Sequence, residues 1–359
     1  MTDSKRNPGG WLVLADDLSG AAELAGVALR YGLSAEVWLE SVAEGNMPDV
    51  VCVDSNTRLV SPEEAVRRTK AWLERLSALV DRRWFKKVDS LLRGNPLAEL
   101  KVLVDVGVGH HVILCPANPE LGRVIRAGRY YLHGVPLDQT IHANDPTHPR
   151  RTAQVRELLG GARSWLEVPD VATRDDLRRW AARVTSNTLA AGAAEFFQAC
   201  LEGAAVSVAA APSSPLAGSR LFACGSPAAW ASGRRQQLAE HGIPTVTAGP
   251  DAVASAHRHL SQRGAVQMAS GSMTGDPDDI ADQFSQLVVD LVARCRVEYL
   301  LLEGGATAAA VIQRLGWTRL VAQQELAAGT VVLREAGGLA PRLVVKPGSY
   351  GWPAAAFSW

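Results

Sequence analysis

The chain has 359 residues, 47% of them apolar and 21% charged, with 32 glycines and 19 prolines; this ordinary globular composition excludes collagen, coiled coil and a disordered polyelectrolyte. Lys plus Arg and Asp plus Glu both number 37, a formal net charge of zero, so no overall field favours a polyanion or an acidic membrane, and a nucleic-acid role is disfavoured. At roughly 100 to 200 residues per domain, the length predicts two domains.

Short apolar runs that end in polar or glycine residues and lead into helical patterns recur along the chain as βα units do, so parallel sheets are expected. In the first half the predicted strands are Trp11–Ala15, Ala35–Leu39, Val50–Val53, Trp84–Val88 and Val112–Cys115, with Trp165–Val168 later in the same sheet. Helices are predicted over Ala21–Tyr31, closed by Gly32; over Pro62–Leu76, with Ser61 as N-cap and Glu64 three residues on; and over Pro96–Val104, opened by Asn95. Between Ala204 and Gly218 the pattern gives way to small residues and Ala-Pro-Ser-Ser-Pro, the composition of a linker. A second βα series follows with strands at Leu221–Cys224, Thr245–Thr247, Ala265–Met268, Tyr299–Leu302 and Leu343–Val345. The expected fold class is α/β: two α/β lobes with mainly parallel sheets and an interlobe cleft, residues 1–215 and 216–359.

Five cysteines, Cys52, Cys115, Cys200, Cys224 and Cys295, form no C-x-x-C pair, which argues against a zinc site or a disulfide framework. The histidines show no metal-ligand spacing either. No apolar run approaches the length of a membrane span, and the N-terminal apolar stretch meets Asp16 and Asp17 at once. A reduced, cytoplasmic protein with no membrane partner is expected.

Three motifs in the first half fall where an open α/β sheet places its ligands, at carboxyl ends of strands. Asp16-Asp17-Leu18-Ser19-Gly20 puts two adjacent acids after the first strand, where one caps the next helix and the other is left to face a site. In Asp54-Ser55-Asn56-Thr57-Arg58 an arginine is placed to hold a carboxylate bidentately. Lys86-Lys87-Val88-Asp89-Ser90-Leu91-Leu92-Arg93-Gly94 closes a stretch from Arg82 with five bases against one acid, which calls for an anion; strand alternation puts Lys87 and Asp89 on one face, one lysine of the pair then entering the site and the other being solvated. A turn-rich region from Cys115 to Leu137 carries Arg123, Arg126 and Arg129 and is expected to cover the cleft. In the second half, glycine loops follow strands at Gly225-Ser226, Gly304-Gly305-Ala306-Thr307 and Lys346-Pro347-Gly348-Ser349-Tyr350-Gly351, the type of turn whose amides cradle phosphate. None is a Walker A loop, and the dinucleotide fingerprint is absent after the first strand, which disfavours a Rossmann dehydrogenase.

In order and spacing these motifs resemble the four-carbon acid sugar kinases, a family long catalogued as a domain of unknown function. The resemblance covers both halves, and includes Gly122-Arg123 and Gly134–Thr140. It implies transfer of the ATP γ-phosphoryl group, with Mg²⁺, to the terminal hydroxyl of threonate, erythronate or a 3-oxo-tetronate, or of another short acid sugar such as 3-oxoisoapionate. Asp16 and Asp17 would be catalytic. Arg58, Lys87, Asp89, Ser90, Arg93 and Gly94 would bind the sugar acid, and Ser226, Gly304, Gly305, Ala306, Thr307, Gly348 and Gly351 the nucleotide. The expected partners are the sugar acid and ATP, with a homo-oligomer as a further possibility. Two positions depart from the family: Ala306 stands where an acid is usual, and Ser349 enters a loop whose family pattern is closer to Lys-Ser-Gly-Gly-Phe-Gly. The chain is also shorter than the family norm, mostly in its second half. A sugar-acid-binding protein with impaired ATP turnover is therefore the rival reading.

Overall fold

The computed structural model describes residues 10–40, 42, 45–145, 148–204, 214–225, 234–348 and 350–358. Most of the expected linker, together with Ser226 and Ser349, lies outside these residues. The chain divides into two compact units, Met1–Leu24 with Val42–Val208, and Ala25–Ser41 with Ala209–Trp359.

In chain order the elements are β1 (Trp11–Ala15), α1 (Leu18–Arg30), β2 (Ala35–Trp38), β3 (Val50–Asp54), α2 (Pro62–Arg75), β4 (Arg83–Lys87), α3 (Pro96–Asp105), β5 (His111–Cys115), β6 (Arg123–Arg126), β7 (Arg129–Leu132), β8 (Val135–Pro136), α4 (Val155–Leu158), β9 (Leu166–Glu167), α5 (Arg174–Ala181), β10 (Thr188–Gly192) and α6 (Ala194–Gly203). The first unit's sheet runs β3-β1-β4-β10-β5-β9, every neighbouring pair parallel. Its inner strands are continuous apolar runs because helices cover both faces: all of Trp11–Ala15 and Val50–Asp54 is buried. Strand β10, Thr-Leu-Ala-Ala-Gly, was not expected from the sequence; its small side chains carry little strand signal, and its pairing with β4 and β5 places it. A separate antiparallel sheet, β6-β7-β8, is built from the turn-rich region.

The second unit continues with β11 (Arg220–Cys224), α7 (Arg234–Glu240), β12 (Thr245–Thr247), α8 (Ala252–Arg263), β13 (Ala265–Ala269), α9 (Pro277–Arg294), β14 (Tyr299–Glu303), α10 (Gly305–Arg314), β15 (Arg319–Ala327), β16 (Thr330–Glu335) and β17 (Arg342–Lys346). Strands β12-β13-β11-β14-β17 are parallel, and β16, β15 and β2 then extend the sheet antiparallel. The β15–β16 hairpin was not predicted. Strand β2, expected among the strands of the first half, falls in the second compact unit. It pairs antiparallel with β15, Leu320 opposite Val37, and Arg30 at the end of α1 meets Glu325 at 2.7 Å. The core of this unit gathers Phe222, Leu301, Val344, Trp352 and Phe357. Arg220, fully buried within it, donates to the carbonyls of Leu216, Ala356 and Ser358 and so ties the C-terminal segment to β11. Among the described residues no helix is long and apolar enough to cross a membrane.

Candidate functional site

Three adjacent parallel strands of the first unit, β3, β1 and β4, end side by side, with Ala15 in register with both Asp54 and Lys87. The residues that follow them form one charged cluster. Asp17 caps α1, its Oδ1 accepting from Gly20 N at 2.8 Å, and its other oxygen accepts from Ser19 Oγ. Asp16 takes the Arg58 guanidinium bidentately, from Nε at 2.8 Å and Nη2 at 2.7 Å, while Nη1 reaches Asp17 at 2.6 Å. The loop that carries Arg58 is fixed by its backbone: Thr57 N and Arg58 N both donate to Asp16 O. Gly94, at φ +81°, presses on this arginine, and a Cβ there would stand 3.2 Å from Arg58 Cα.

Lys87 approaches from β4 and pairs with Glu23 at 3.2 Å; both Lys87 Nζ and Asp17 Oδ1 border Gly20, where a Cβ would crowd them. Lys86 is not the solvated member of the pair that alternation suggested. It is fully buried in an ion pair with Glu99 of α3, because β4 is covered on both faces. Asp89 is a second node: Arg93 donates to it from Nε and Nη2, both at 2.9 Å, and from its backbone N at 3.1 Å. Ser90 is held from both ends, Oγ by Arg123 Nη1 and the carbonyl by Tyr130 OH at 2.7 Å.

The electrostatics sort the acids. Burial alone would raise Asp16, but the Arg58 guanidinium, helped by Lys86 and Lys87, outweighs it and holds the carboxyl below its usual range. Asp89 is held well below by Arg93 and Arg58, again against burial. Asp54 goes the other way: burial, followed by the nearby charge of Asp17, pushes it up to about 7, and only the amide of Asn56 and the more distant Arg58 oppose this. Asp54 and Tyr130 were not among the expected site residues, and Arg123 was expected only as part of the region covering the cleft. Asp54 belongs to a motif recognised for its arginine, and Tyr130 lies with Arg123 on the antiparallel sheet, whose pairing no local pattern announced.

In the second unit, β11, β14 and β17 are adjacent, and their carboxyl ends bring glycines together. Gly304 is the N-cap of α10 at φ +88°, donates to Lys346 O at 3.0 Å, and approaches Gly348 so closely that a Cβ on either would lie within 4 Å of the other's Cα. A Cβ on Gly225 would stand 2.7 Å from Thr307 Oγ1. Lys346 pairs with Glu303 at 3.0 Å, donates to Tyr350 O at 2.7 Å and lies 4.9 Å from the Trp352 ring centre. Gly305, Ala306 and Thr307 are the first three residues of α10, with Ala306 exposed and no acid in that turn. Gly351 borders Gln237, whose Oε1 would lie 3.8 Å from a Cβ at this position, rather than Gly304. Ser270, 1% exposed at the end of β13, has a buried hydroxyl with no hydrogen-bond partner.

Residues 11–231 match the model of a sugar-binding N-terminal domain and residues 216–356 that of a nucleotide-binding C-terminal domain; the chain belongs to the family these domains define, which includes the proteins catalogued as DUF1537. Among curated proteins it is 27% identical to a 3-oxo-tetronate kinase of Methylobacterium radiotolerans over 94% of this chain and 95% of that one. It is 31% identical to a D-erythronate kinase of Heliobacterium modesticaldum over 41% of this chain and 35% of that one, and 38% identical to a D-threonate kinase of Cupriavidus necator over 36% and 31%. The chain thus matches about a third of the length of these last two relatives. Among solved structures, a Haemophilus influenzae protein of the DUF1537 family superposes with a TM-score of 0.72 at 17% identity, covering 96% of this chain and 98% of that one. A Salmonella typhimurium protein described as a putative tRNA synthase does so with 0.77 at 17%, covering 97% of each. Both likenesses concern the fold.

Proposed function

We propose that the protein is an ATP-dependent kinase of a four-carbon sugar acid (threonate, erythronate or a 3-oxo-tetronate) that phosphorylates the terminal hydroxyl, with residues up to about 215 holding the acid and those beyond it the nucleotide. The observation that carries this reading is the pairing, in one chain, of a carboxylate cluster with one member poised near neutrality and a three-strand glycine end suited to phosphate. Its likeness to a 3-oxo-tetronate kinase over nearly the full length supports it.

In this reading the hydroxyl oxygen forms a bond to the γ-phosphorus, the bond to the ADP oxygen breaks, and the hydroxyl proton leaves for a base. Asp16 and Asp17, held by Arg58, orient the hydroxyls; Asp54, near pH 7, is the carboxylate able to take the proton. Arg93, with Ser90 and Arg123 beside it, offers guanidinium donors to the substrate carboxylate, and Lys87 adds positive charge at the start of α1. The amides of Gly304 to Thr307 and the close approach of Gly348 fit a phosphate chain, since a side chain at either glycine would narrow the gap. In this reading Mg²⁺ arrives on the ATP phosphates. When bound, Mg²⁺ supplies charge neutralisation of the transferring group. The five free cysteines fit a reducing, cytoplasmic setting.

The test is ADP release with D-threonate, D-erythronate and a 3-oxo-tetronate as acceptors, with ³¹P NMR of the product. A phosphomonoester on the terminal carbon is expected from one of them. Ala306 favours the rival reading, a sugar-acid-binding protein with impaired turnover, because α10 begins without an acid. Binding of a sugar acid by calorimetry with no ADP release would decide for the rival.

A further inference from the structure

We infer that Arg123, the first residue of β6, reads the substrate's carboxylate and so makes the first unit select a sugar acid over the neutral polyol of the same length. The inference rests on the sugar-acid half of the proposed function and not on ATP turnover. It singles out Arg123 among the cations of the cluster. Arg58 and Arg93 are each held side-on by an acid of the chain itself, since Nε and Nη2 of Arg58 donate to Asp16, and Nε and Nη2 of Arg93 donate to Asp89. Arg93 also has Asp145 at 3.8 Å. Lys87 is paired with Glu23 and Lys86 with Glu99. A guanidinium whose fork already holds one carboxylate has to release it before it can take a second in the same way.

Arg123 differs at these same atoms. Its Nη1 donates to Ser90 Oγ, its Nε is buried with no hydrogen-bond partner, and it forms no ion pair among the described residues. The Nε–Nη2 edge, which Arg58 and Arg93 each turn to an acid, is in Arg123 the edge left to a ligand. The group is also held in place. Arg123 N donates to Asn118 O at 3.0 Å and Asn118 N to Arg123 O at 2.8 Å, which fixes the start of β6, and Ser90 is braced from the other side by the fully buried Tyr130. A buried donor without an acceptor carries its full desolvation cost. A planar carboxylate answers this edge with two parallel bonds, whereas a polyol offers it only single hydroxyls and no charge. His142 reports the sign of the local field: burial, then Arg93 and Arg123, hold its imidazole below the ordinary range, ahead of Asp145 and Asp89, which act the other way. The arginines therefore outweigh the acids at that point, as an anion requires.

Isothermal titration calorimetry on the full chain, without nucleotide, tests this with D-threonate, D-erythronate and their neutral counterparts threitol and erythritol. The wild type should bind one of the acids at least tenfold more tightly than its polyol. Arg123→Gln should weaken that acid at least tenfold and leave the polyol where it was, with the unfolding midpoint unchanged or raised, because a buried donor without a partner has been removed. Arg123→Lys should recover only part of the acid affinity, since an ammonium carries the charge without the fork. The assignment is overturned by equal binding of acid and polyol to the wild type, by unchanged acid affinity in Arg123→Gln, by acid and polyol weakening by the same factor, or by a loss of acid binding that comes only with a lowered unfolding midpoint. In each of these cases ADP release by the wild type is measured separately, and the kinase reading stands or falls on that. A wild type that binds none of the four compounds overturns both the assignment and the sugar-acid half of the kinase reading.

Discussion

The two sets of strand ends solve the same problem, a polar site at the edge of a parallel sheet, with opposite materials. In the first unit the site is made of side-chain charge, and the charges already neutralise one another: Arg58 with Asp16 and Asp17, Arg93 with Asp89, Lys87 with Glu23. In the second unit it is made of backbone, with Gly225, Gly304 and Gly348 clearing space at a helix start. A charge network loses far more than one contact when one member is removed, since the remaining members stay buried and unpaired. A backbone cradle loses only what an added side chain obstructs. Single substitutions should therefore be severe in the first unit and graded in the second.

Arg58→Ala would show the largest effect. It deletes three charge-assisted hydrogen bonds and leaves the buried Asp16 with only the more distant Lys86 and Lys87 to offset its charge, at a cost of about 3 kcal/mol. An arginine that grips Asp16 and Asp17, rather than the substrate carboxylate, predicts a large drop in the urea midpoint. Arg58→Lys should not rescue it, because an ammonium cannot make the bidentate contact. Unchanged stability in Arg58→Ala would refute the network.

Asp54→Asn comes next, with opposite sign. Its carboxyl titrates near 7 in the folded protein against an ordinary 3.8, so between roughly pH 4 and 7 the folded state holds the extra proton and stability falls as pH rises. Below pH 4 both states are protonated and the effect vanishes. Three pH units correspond to about 4 kcal/mol as an order of magnitude. The asparagine variant should then be the more stable protein at pH 8 and no different at pH 3.5, while its phosphorylation rate falls. A wild-type kcat that does not rise through pH 7 would remove Asp54 as the proton acceptor.

The contrast between the units also sets what the sequence could reveal. Asp16-Asp17, Arg58 and the Lys86–Arg93 stretch were legible because charges beside apolar strands are expensive and so conspicuous. That they are spent on one another was not legible, since Arg58 and Asp16 are 42 residues apart and meet only through the pairing of β1 with β3. Asp54 looked like an ordinary strand end until burial and Asp17 were placed around it. The parallel βα series was legible from its apolar runs. The exchange of β2 into the second unit was not, because Ala35–Trp38 carries the same local pattern whichever sheet takes it, and its partner β15 lies nearly 300 residues away.

Gly304→Ala probes the backbone cradle. The residue sits at φ +88°, where a Cβ costs about 1 to 2 kcal/mol, and the added methyl would face Gly348. KM for MgATP should rise several-fold with the sugar-acid KM unchanged. Gly225→Ala, which drives a Cβ against Thr307 Oγ1, should act in the same direction. Equal effects on both substrates would contradict a division of labour between the units.

Ala306→Asp is the smallest and the most discriminating change. Ala306 is the exposed second residue of α10, so an aspartate there strains nothing and meets the positive end of the helix dipole, worth about 0.3 to 1 kcal/mol to stability. The same carboxylate beside ATP would repel phosphate unless Mg²⁺ or an amide stands between them. If nucleotide reaches the start of α10 with its metal, the variant should lower KM for MgATP or raise kcat by a few-fold at saturating sugar acid, and lose that gain when Mg²⁺ is limiting. If bare phosphate contacts the amides directly, KM should rise while stability still improves. The two outcomes share the stability gain and differ only in kinetics, so a melting curve verifies the helix start and the kinetics then report what binds there. No change in either kinetic constant, with the helix stabilised, would mean that the nucleotide does not approach α10, and the glycine cradle would lose its assignment.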